Sequence, residues 1–452
     1  MKRDERHGGT AANPVLALRR AALGGPRARA ADVLLRDLCR AAWNGVHDLL
    51  PGNAAADGTY AREKGRLHGL VQDVVWRPGH AARMAAYRRR LAEGPRRTAT
   101  GGPFRITFLL EGLNTSGGVL SVAQLAEGLA ELGAECAVAV RSPRFYDPEM
   151  CRGVTPRFFR DDGDLIRNFP PCDAAVATYW PTMHLLAECF LARPDFTPAY
   201  FVQDFEPDFY PEGDAHTRRA ALDTYTMTPW CFAKTPWICG RVREAGGQIA
   251  LVPPGMDLDL FSPRPPSRQP GQKPVVLMMV RPATPQRGLD TLRETLAVLA
   301  GAGAAELAEF QAFGCATEEL AALKLPLPVA ALGALPNAAL PQVYSDACLF
   351  LDTSHFHGFG RTAAEAMACG TPCVLTDSGG VRLFAEDGKN CLMTPPGDAP
   401  GLADRVLRLL RDGGARARLA ARCRGSVAGF GLAASAEKTL EFLRRAAGDS
   451  LP

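Results

Sequence analysis

Two arginines flank a short proline-containing loop in the second half of the chain. Arg281 and Arg287 stand six positions apart, directly after the apolar run Val275–Val280. Arginine keeps its charge and offers planar, paired contacts to phosphate oxygens, so two arginines on one loop can hold a polyphosphate. The alternative is a pair of exposed loop arginines, but a position directly after a strand favours phosphate binding.

A glycine loop followed by a helix comes later in the chain. The helix is predicted from about Arg361 to Cys369, because Gly370 and Pro372 are typical of a helix end. Backbone amides at such a junction favour an anion. The predicted contacts to such an anion are Gly358, Phe359, Gly360, Arg361 and Thr362. Glu365 lies one turn inside the helix, and His357 immediately precedes the loop.

The same segment contains two histidines, His355 and His357, separated by one residue. They could bind a metal ion. However, no cysteine or carboxylate stands near them at the spacing of a metal site, so we expect no metal.

Two further strand–loop junctions carry candidate residues. Gly117 and Gly118 begin a helix after the first strand, and their amides could bind a phosphate. The Gly-x-Gly-x-x-Gly pattern is absent here, so the alternative is an ordinary strand–helix turn. Gln203, Asp204 and Glu206 share a loop with several aromatic residues. Hydrogen-bond acceptors beside aromatic faces suit sugar hydroxyls, so we predict that this loop faces a sugar; the alternative is a solvated acidic loop.

The elements that must position these residues are short apolar runs separated by helical patterns. Continuous apolar strands between amphipathic helices predict parallel sheets covered on both faces. The runs are Phe104–Leu110, Cys136–Val140, Asp173–Thr178, Ala199–Val202 and Ile249–Val252, then Val275–Val280, Glu309–Phe313, Val329–Leu332, Cys348–Leu351 and Cys373–Leu375. A proline-rich linker, Pro253–Pro274, divides them into two doubly wound halves, which can face each other across a cleft at the carboxyl ends of their strands.

The charge of the chain is uneven. Residues 1–100 hold 19 Lys and Arg against 9 Asp and Glu, while the whole chain of 452 residues has a net charge of +4. Residues 1–103 are predicted to form a basic helical extension, with candidate helices Ala30–Leu50 and Gly79–Glu93. Simple solvated helices are one interpretation of this arm. Contact with an anionic lipid surface, a charged acceptor or another protein is the other.

Composition and motifs exclude several classes of protein. A nucleic-acid binder would carry its basic excess in the body of the protein, and a serine hydrolase of the Gly-x-Ser-x-Gly type would need a motif that the sequence lacks.

The 13 cysteines lie mostly in apolar runs, which favours a reducing compartment. The N-terminus has no apolar signal region, and no run approaches the ~20 residues of a membrane span. We therefore expect a cytoplasmic protein, with peripheral contact at the inner membrane surface left open.

Residues 104–445 resemble the family 4 glycosyltransferases of the GT-B fold. Gly358–Gly360 and Glu365–Pro372 are similar to that family's Glu-x7-Glu block, Pro253–Asp257 with Phe261–Pro263 to its linker, and Leu332–Tyr344 to the stretch that passes the nucleotide base. The loop Tyr200–Pro207 is similar to that of rhamnosyltransferases making surface polysaccharides. The resemblance implies Rossmann-like domains at 104–258 (acceptor side) and 259–432 (donor side), and a C-terminal helix at 433–452 that can cross back to the first domain.

The resemblance also implies a retaining transfer from a nucleoside-diphosphate sugar, with rhamnose or another hexose moving to a glycan, lipid-linked or small-molecule acceptor. No cofactor or essential metal is implied. Arg281 and Arg287 would clamp the diphosphate, Glu365 would accept the ribose hydroxyls, and the glycine loops would contact phosphate from both sides. At the position of Arg287, the family usually has a lysine.

Two residues depart from the family pattern. His357 replaces the first Glu of the block, which lies against the transferred sugar, and Gln203 replaces a frequent His. Two alternatives therefore stay open. One is a catalytically silent GT-B module that binds a sugar nucleotide or a partner, and the other is a sugar-nucleotide epimerase.

Overall fold

The computed structural model describes residues 77–94, 102–113, 117–141, 154 and 156–448. Two parallel sheets organise this part of the chain. The first runs in the order β3-β2-β1-β4-β5-β6-β7 and the second in the order β10-β9-β8-β11-β12-β13. The strands are β1 Arg105–Leu110, β2 Glu135–Val140, β3 Pro156–Phe158, β4 Ala174–Ala177, β5 Thr197–Phe201, β6 Cys231–Ala233, β7 Ile249–Leu251, β8 Val275–Met279, β9 Glu309–Phe313, β10 Val329–Gly333, β11 Leu349–Asp352, β12 Cys373–Thr376 and β13 Cys391–Thr394.

Helices cover both faces of each sheet. They are α1 Arg77–Ala92, α2 Gly117–Glu131, α3 Asp162–Arg167, α4 Trp180–Ala192, α5 Ala215–Thr224, α6 Pro236–Glu244, α7 Leu289–Gly301, α8 Ala304–Leu307, α9 Thr317–Ala322, α10 Leu340–Asp346, α11 Arg361–Ala368, α12 Ala399–Arg411, α13 Gly413–Val427 and α14 Leu432–Ala446. Successive residues of β1 point to opposite sides, so Phe108 and Leu109 belong to separate cores. Among the described helices, none is long and apolar enough to cross a membrane.

The structure confirms two doubly wound α/β domains. The apolar runs became strands because a parallel sheet buries both of its faces, and β4 and β11 are buried along their whole lengths. Three strands, β3, β6 and β13, lie outside the predicted set, and β3 and β13 are edge strands of their sheets. Helix α5 begins at Ala215, because the Asp214 side chain caps it by accepting from the Thr217 amide.

The described end of the N-terminal extension belongs to the first domain. Helix α1 packs on α4, with Tyr87 fully buried and Arg83 Nε 2.8 Å from Glu188 Oε1. This helix covers the predicted segment Gly79–Glu93, whereas Ala30–Leu50 lies outside the described residues. A truncation designed to test the basic arm therefore has to end before Arg77, because a longer one would uncover the α4 surface of the first core.

The last helix connects the two domains. The amide of Met256, which follows the first sheet, donates to the carbonyl of Phe430, which follows the second sheet, at 2.8 Å. Helix α14 then packs along α2 of the first domain. Ala436 and Leu443 are fully buried there. Gly128 on α2 makes the close approach possible, because a Cβ at that position would lie 2.9 Å from the Cβ of Ala436. This contact, together with the linker, sets how the carboxyl ends of the two sheets face each other.

Candidate functional site

The residues predicted to act together meet where the two domains touch. Thr235 Oγ1 in the first domain donates to Gly358 O in the second at 2.7 Å. Arg361, the first residue of α11, reaches in the opposite direction and donates from Nη2 to Gln124 Oε1 of α2 at 2.7 Å. The glycine loop before α11 is therefore held between the domains, in the cleft formed by the carboxyl ends of both sheets.

Gly358 is required at this position by a close approach. A Cβ on Gly358 would collide with the carbonyl oxygen of Gln203 and lie 3.0 Å from the Cα of Asp204. Gly360 has φ of 84°, in the left-handed region that favours glycine, and it caps the start of α11. The structure thus brings the Gln203–Asp204 loop directly against the predicted phosphate loop.

Arg287 and His357 lie at the centre of the site, with a carboxylate that sequence reasoning missed. His357 Nε2 is 3.2 Å from Arg287 Nη1 and 3.4 Å from Asp352 Oδ2. The carboxyl of Asp352 also accepts from the Ser354 amide at 2.9 Å. Burial acts to raise the pKa of Asp352, but His357, Arg287 and Ser354 outweigh it and hold the pKa well below its usual range. Asp352 is therefore an anion beneath the two predicted catalytic side chains.

The two predicted diphosphate ligands lie close enough to act on each other. Burial lowers the pKa of the Arg281 guanidinium, and the neighbouring charge of Arg287 lowers it further. Burial also lowers the pKa of Arg287. Two partly desolvated cations side by side repel each other, so an anion bound between them would relieve that repulsion.

Glu365 lies behind the arginines, 3% exposed, with both carboxylate oxygens engaged. Oε1 accepts from Arg361 Nε at 2.8 Å, and Oε2 accepts from the Tyr344 hydroxyl at 3.2 Å. Burial raises the pKa of Glu365 despite these partners. Each carboxylate oxygen has a second acceptor site, so two ribose hydroxyls could still bind. Tyr344 belongs to the stretch predicted to pass the nucleotide base.

The histidines that could have formed a metal site have different partners. His355 Nε2 lies 3.0 Å from Thr291 Oγ1 and 3.1 Å from Asp290 Oδ1, whereas His357 faces Asp352. Within the residues that the structure describes, no three His, Cys, Asp or Glu side chains come together in a group that could hold a metal ion.

On the opposite wall, Gly117 and Gly118 begin α2 beside the Gln203 side chain. A Cβ on Gly118 would lie 3.3 Å from Gln203 Oε1, and Gln203 Nε2 donates to Thr178 O at 3.2 Å. Asp204 faces His357 and Arg287, and burial raises the pKa of its carboxyl although both of these side chains lower it. Residues 114–116, which directly precede Gly117, lie outside the described residues.

Glu206 differs from its two loop neighbours, and the prediction that it faces a substrate needs correction. Its side chain is turned inward and only 2% exposed, because the chain forms a short 3₁₀ turn at Glu206–Phe209. Oε2 accepts from the Trp180 amide at 2.7 Å and from the Tyr200 hydroxyl at 2.6 Å. Glu206 therefore supports the loop from inside the first domain.

Burial raises the pKa of Glu206 from the ordinary value of 4.5 to about 8, so folding favours its protonated form. The Glu206 contribution to stability is therefore fully present below the unfolded pKa and is lost as the pH rises towards 8. We expect Glu206→Gln, which keeps an acceptor for Trp180 and Tyr200, to raise the melting temperature increasingly from about pH 5 to about pH 8. A constant difference between the two proteins across that range would contradict this assignment.

The structure adds aromatic residues that sequence reasoning did not select. Tyr179 follows β4, and its hydroxyl lies 2.8 Å from that of Tyr210, to which Trp180 Nε1 donates at 2.9 Å. Tyr179 comes directly after the predicted strand ending at Thr178, so a search of every strand end would have found it. Lys234 had no such signal, because it directly follows β6, a strand outside the predicted set.

The architecture of the two domains is similar to that of solved glycosyltransferase structures. Anabaena HepE, crystallised with UDP and glucose, covers 76% of this chain and 100% of its own at a TM-score of 0.62 and 19% identity. Sucrose-phosphate synthase from Thermosynechococcus elongatus covers 76% of this chain and 98% of its own at a TM-score of 0.62 and 20% identity. The fold is GT-B. At these identities the likeness concerns the architecture alone.

Sequence comparison adds a family match within the second GT-B domain. Residues 273–412 match the family model described as Glycosyl transferases group 1. That segment contains Arg281, Arg287, His357 and Glu365.

Curated relatives match over a longer segment. The D-inositol 3-phosphate glycosyltransferase of Frankia alni is 31% identical over 220 residues, which are 44% of this chain and 53% of the relative. The mannosylfructose-phosphate synthase of Agrobacterium fabrum is 32% identical over 179 residues, 35% of this chain and 39% of the relative. The chain thus spans about half the length, or less, of these relatives.

Proposed function

We propose that this chain is a glycosyltransferase that uses a nucleoside-diphosphate sugar. The observation that carries the proposal is the meeting of Arg281, Arg287, the Gly358–Gly360 loop and Glu365 in one cleft between two GT-B domains. The group 1 match over residues 273–412 and the names of the curated relatives support the same activity.

The chemistry follows from where charge develops. As the bond between the sugar and the diphosphate breaks, its electron pair passes to the phosphate oxygen, and Arg281 and Arg287 would stabilise that charge. The acceptor hydroxyl forms the new bond to the sugar and gives up its proton. We propose retention of configuration, with the departing phosphate taking that proton, since Gln203 cannot act as a base. Closure of the two domains would exclude water and suppress hydrolysis.

The sugar and the acceptor belong to the finer part of the proposal. Rhamnose rests on the similarity of the loop Tyr200–Pro207 to that of rhamnosyltransferases. The relatives cited above are named for inositol 3-phosphate and mannosylfructose-phosphate instead. We propose a donor of the deoxythymidine-diphosphate-rhamnose type, a glycan, lipid-linked or small-molecule acceptor, and no metal or cofactor. We also propose that transfer takes place in the cytoplasm, with peripheral membrane contact through the basic N-terminal segment.

A thermal-shift panel of sugar nucleotides tests the proposal. We expect one family among the UDP-, dTDP- and GDP-sugars to raise the melting temperature in a concentration-dependent way, because a ligand that binds only the folded state stabilises it. The shift should persist in EDTA if no metal is needed. Absence of a shift with every sugar nucleotide would contradict the proposed function. Conversion of the bound donor into its epimer would favour the epimerase, and binding without turnover on any acceptor extract would favour a silent module.

A further inference from the structure

Lys234 is a buried amine in the first domain at the edge of the cleft. It directly follows β6 and precedes Thr235, whose hydroxyl donates to the Gly358 carbonyl of the second domain. The residue is only 7% exposed. Its Nζ lies 5.1 Å from the centre of the Phe201 ring, which stacks on Phe232 with 4.7 Å between ring centres. Lys234 thus places an amine against aromatic carbon, where a charge is costly.

The surroundings of Lys234 do not supply the anion that a buried ammonium needs. Burial lowers the pKa of Lys234 well below its usual range, and the positive charge of Arg361 lowers it further. Within the described residues, the Nζ atom has no carboxylate or hydrogen-bonding partner. The neighbouring cations differ, because Arg361 donates to Glu365 at 2.8 Å and Arg287 lies near Asp352. A ring face weakly compensates a buried charge, so the amine breaks the rule that buried cations are paired.

The unpaired amine stands beside a structure suited to phosphate. The Arg361 side chain passes along the first turns of α2, since its Cδ would lie 3.6 Å from a Cβ on Gly117 and its Nη1 donates to Ser121 Oγ at 3.2 Å. The 15-residue helix α2 begins there with Gly117 and Gly118. Unsatisfied amides at a helix N-terminus favour an anion. Rules of protein packing are most often broken where function requires it.

We propose that Lys234 binds the diphosphate of the donor from the side of the first domain. This inference rests on the proposed function and adds a residue to it. In the free protein the amine is costly, because its charged form has no anion to balance it and burial favours its neutral form. When a nucleoside diphosphate enters between α2 and the loop Gly358–Gly360, a phosphate oxygen becomes the missing partner. The amine then takes up a proton, so binding of the nucleotide and protonation of Lys234 are linked.

The variant Lys234→Met tests this role, because methionine has similar length and no amine. We expect two effects of opposite sign. The free variant should melt at a higher temperature than the parent protein, since a buried polar group without a partner has been removed. At the same time, its Kd for the best nucleoside diphosphate among UDP, dTDP, GDP and ADP should rise about 10- to 100-fold, the loss typical of a hydrogen bond to a charged group. Lys438→Met is the matched control, because Lys438 is exposed and paired with Glu441 on α14.

Calorimetric titration in two buffers of different ionisation enthalpy gives a second readout. The parent protein should take up part of a proton per nucleotide bound, and Lys234→Met should lose that uptake. If the parent binds a nucleoside diphosphate and Lys234→Met binds it equally well, the inference is wrong and the proposed function stands. If the parent binds none of the four nucleotides, both are wrong.

Discussion

Replacing Arg287 with alanine is expected to lower kcat by about 100- to 1000-fold, the loss produced by removing one preorganised donor from an oxyanion site. The side chain lies between His357 and Arg281, at the carboxyl end of the second sheet. In the proposed reaction its charge would meet the departing diphosphate, whose negative charge grows towards the transition state. An interaction that strengthens towards the transition state affects kcat more than donor affinity. Steady-state kinetics with the donor identified by the panel would separate the two.

Two further variants make this prediction specific. Arg287→Lys should retain more activity than Arg287→Ala, because a lysine preserves the charge but loses the paired geometry, and the similar family usually has lysine there. Arg268→Ala is the control, since Arg268 pairs with Glu309 at 2.9 Å beside the amino end of β9, away from the cleft. If Arg287→Ala kept the parent kcat, or if Arg268→Ala lost as much, the diphosphate assignment would be wrong.

The pair formed by Asp352 and His357 gives the second large effect. The backbone of His357 is fixed on both sides, because its amide donates to Ser378 O at 2.8 Å and its carbonyl accepts from the Gly380 amide at 2.9 Å. The imidazole Nε2 then faces Asp352 and Arg287. In the proposed reaction Nδ1 would be left to bind a hydroxyl of the sugar. We propose that Asp352 is a positioning residue, which acts on the sugar through His357.

A double-mutant cycle on Asp352 and His357 tests this arrangement, because the effects of the two substitutions on kcat should not add. His357→Glu alone places a second carboxylate close to Asp352, so like charges repel and kcat should fall at least about tenfold. Asp352→Asn alone removes the anion that orients His357 and should also lower kcat. The double variant carries a neutral amide beside the introduced carboxylate, so the repulsion is gone and its kcat should exceed that of His357→Glu. Coupling between residues in contact is commonly ~0.5–3 kcal/mol, a measurable difference in this cycle.

Strict additivity in that cycle would contradict a direct role for Asp352. Donor KM should be measured for all four proteins, since a general loss of folding would change kcat and thermal stability together without any recovery in the double variant. Full activity of Asp352→Asn with unchanged KM would show that His357 is oriented by its backbone alone.

The ends of long apolar strands could be located from the sequence, and the residues that follow them were found. Arg281 and Arg287 follow β8, and Gly358 and Glu365 follow β11, because a buried parallel strand leaves a continuous apolar run. Asp352 was missed because it is the last residue of β11 itself, where the apolar run had already ended at Leu351. A residue pattern cannot show that a carboxylate at this point turns towards a histidine five positions later.

Other residues depended on contacts distant in sequence. Glu206 shares a loop with Gln203 and Asp204, but a 3₁₀ turn points it at Trp180 and Tyr200. The orientation of a side chain in an irregular loop is decided by such partners, which sequence spacing does not reveal. Lys234 is unusual because of what surrounds it, and neither its burial nor the proximity of Arg361 is visible before the two domains are brought together.

The central claim is that the cleft transfers a sugar from a nucleoside diphosphate to an acceptor hydroxyl. The most direct measurement incubates the protein with the sugar nucleotide selected by the panel and an acceptor extract, then quantifies free nucleoside diphosphate and new glycoside and determines the anomeric configuration. We predict one nucleoside diphosphate released for each glycosidic bond formed, with the configuration of the donor retained, and no product from Arg287→Ala on the same time scale. Recovery of the sugar nucleotide with its sugar–phosphate bond intact, whether unchanged or epimerised, would contradict the account.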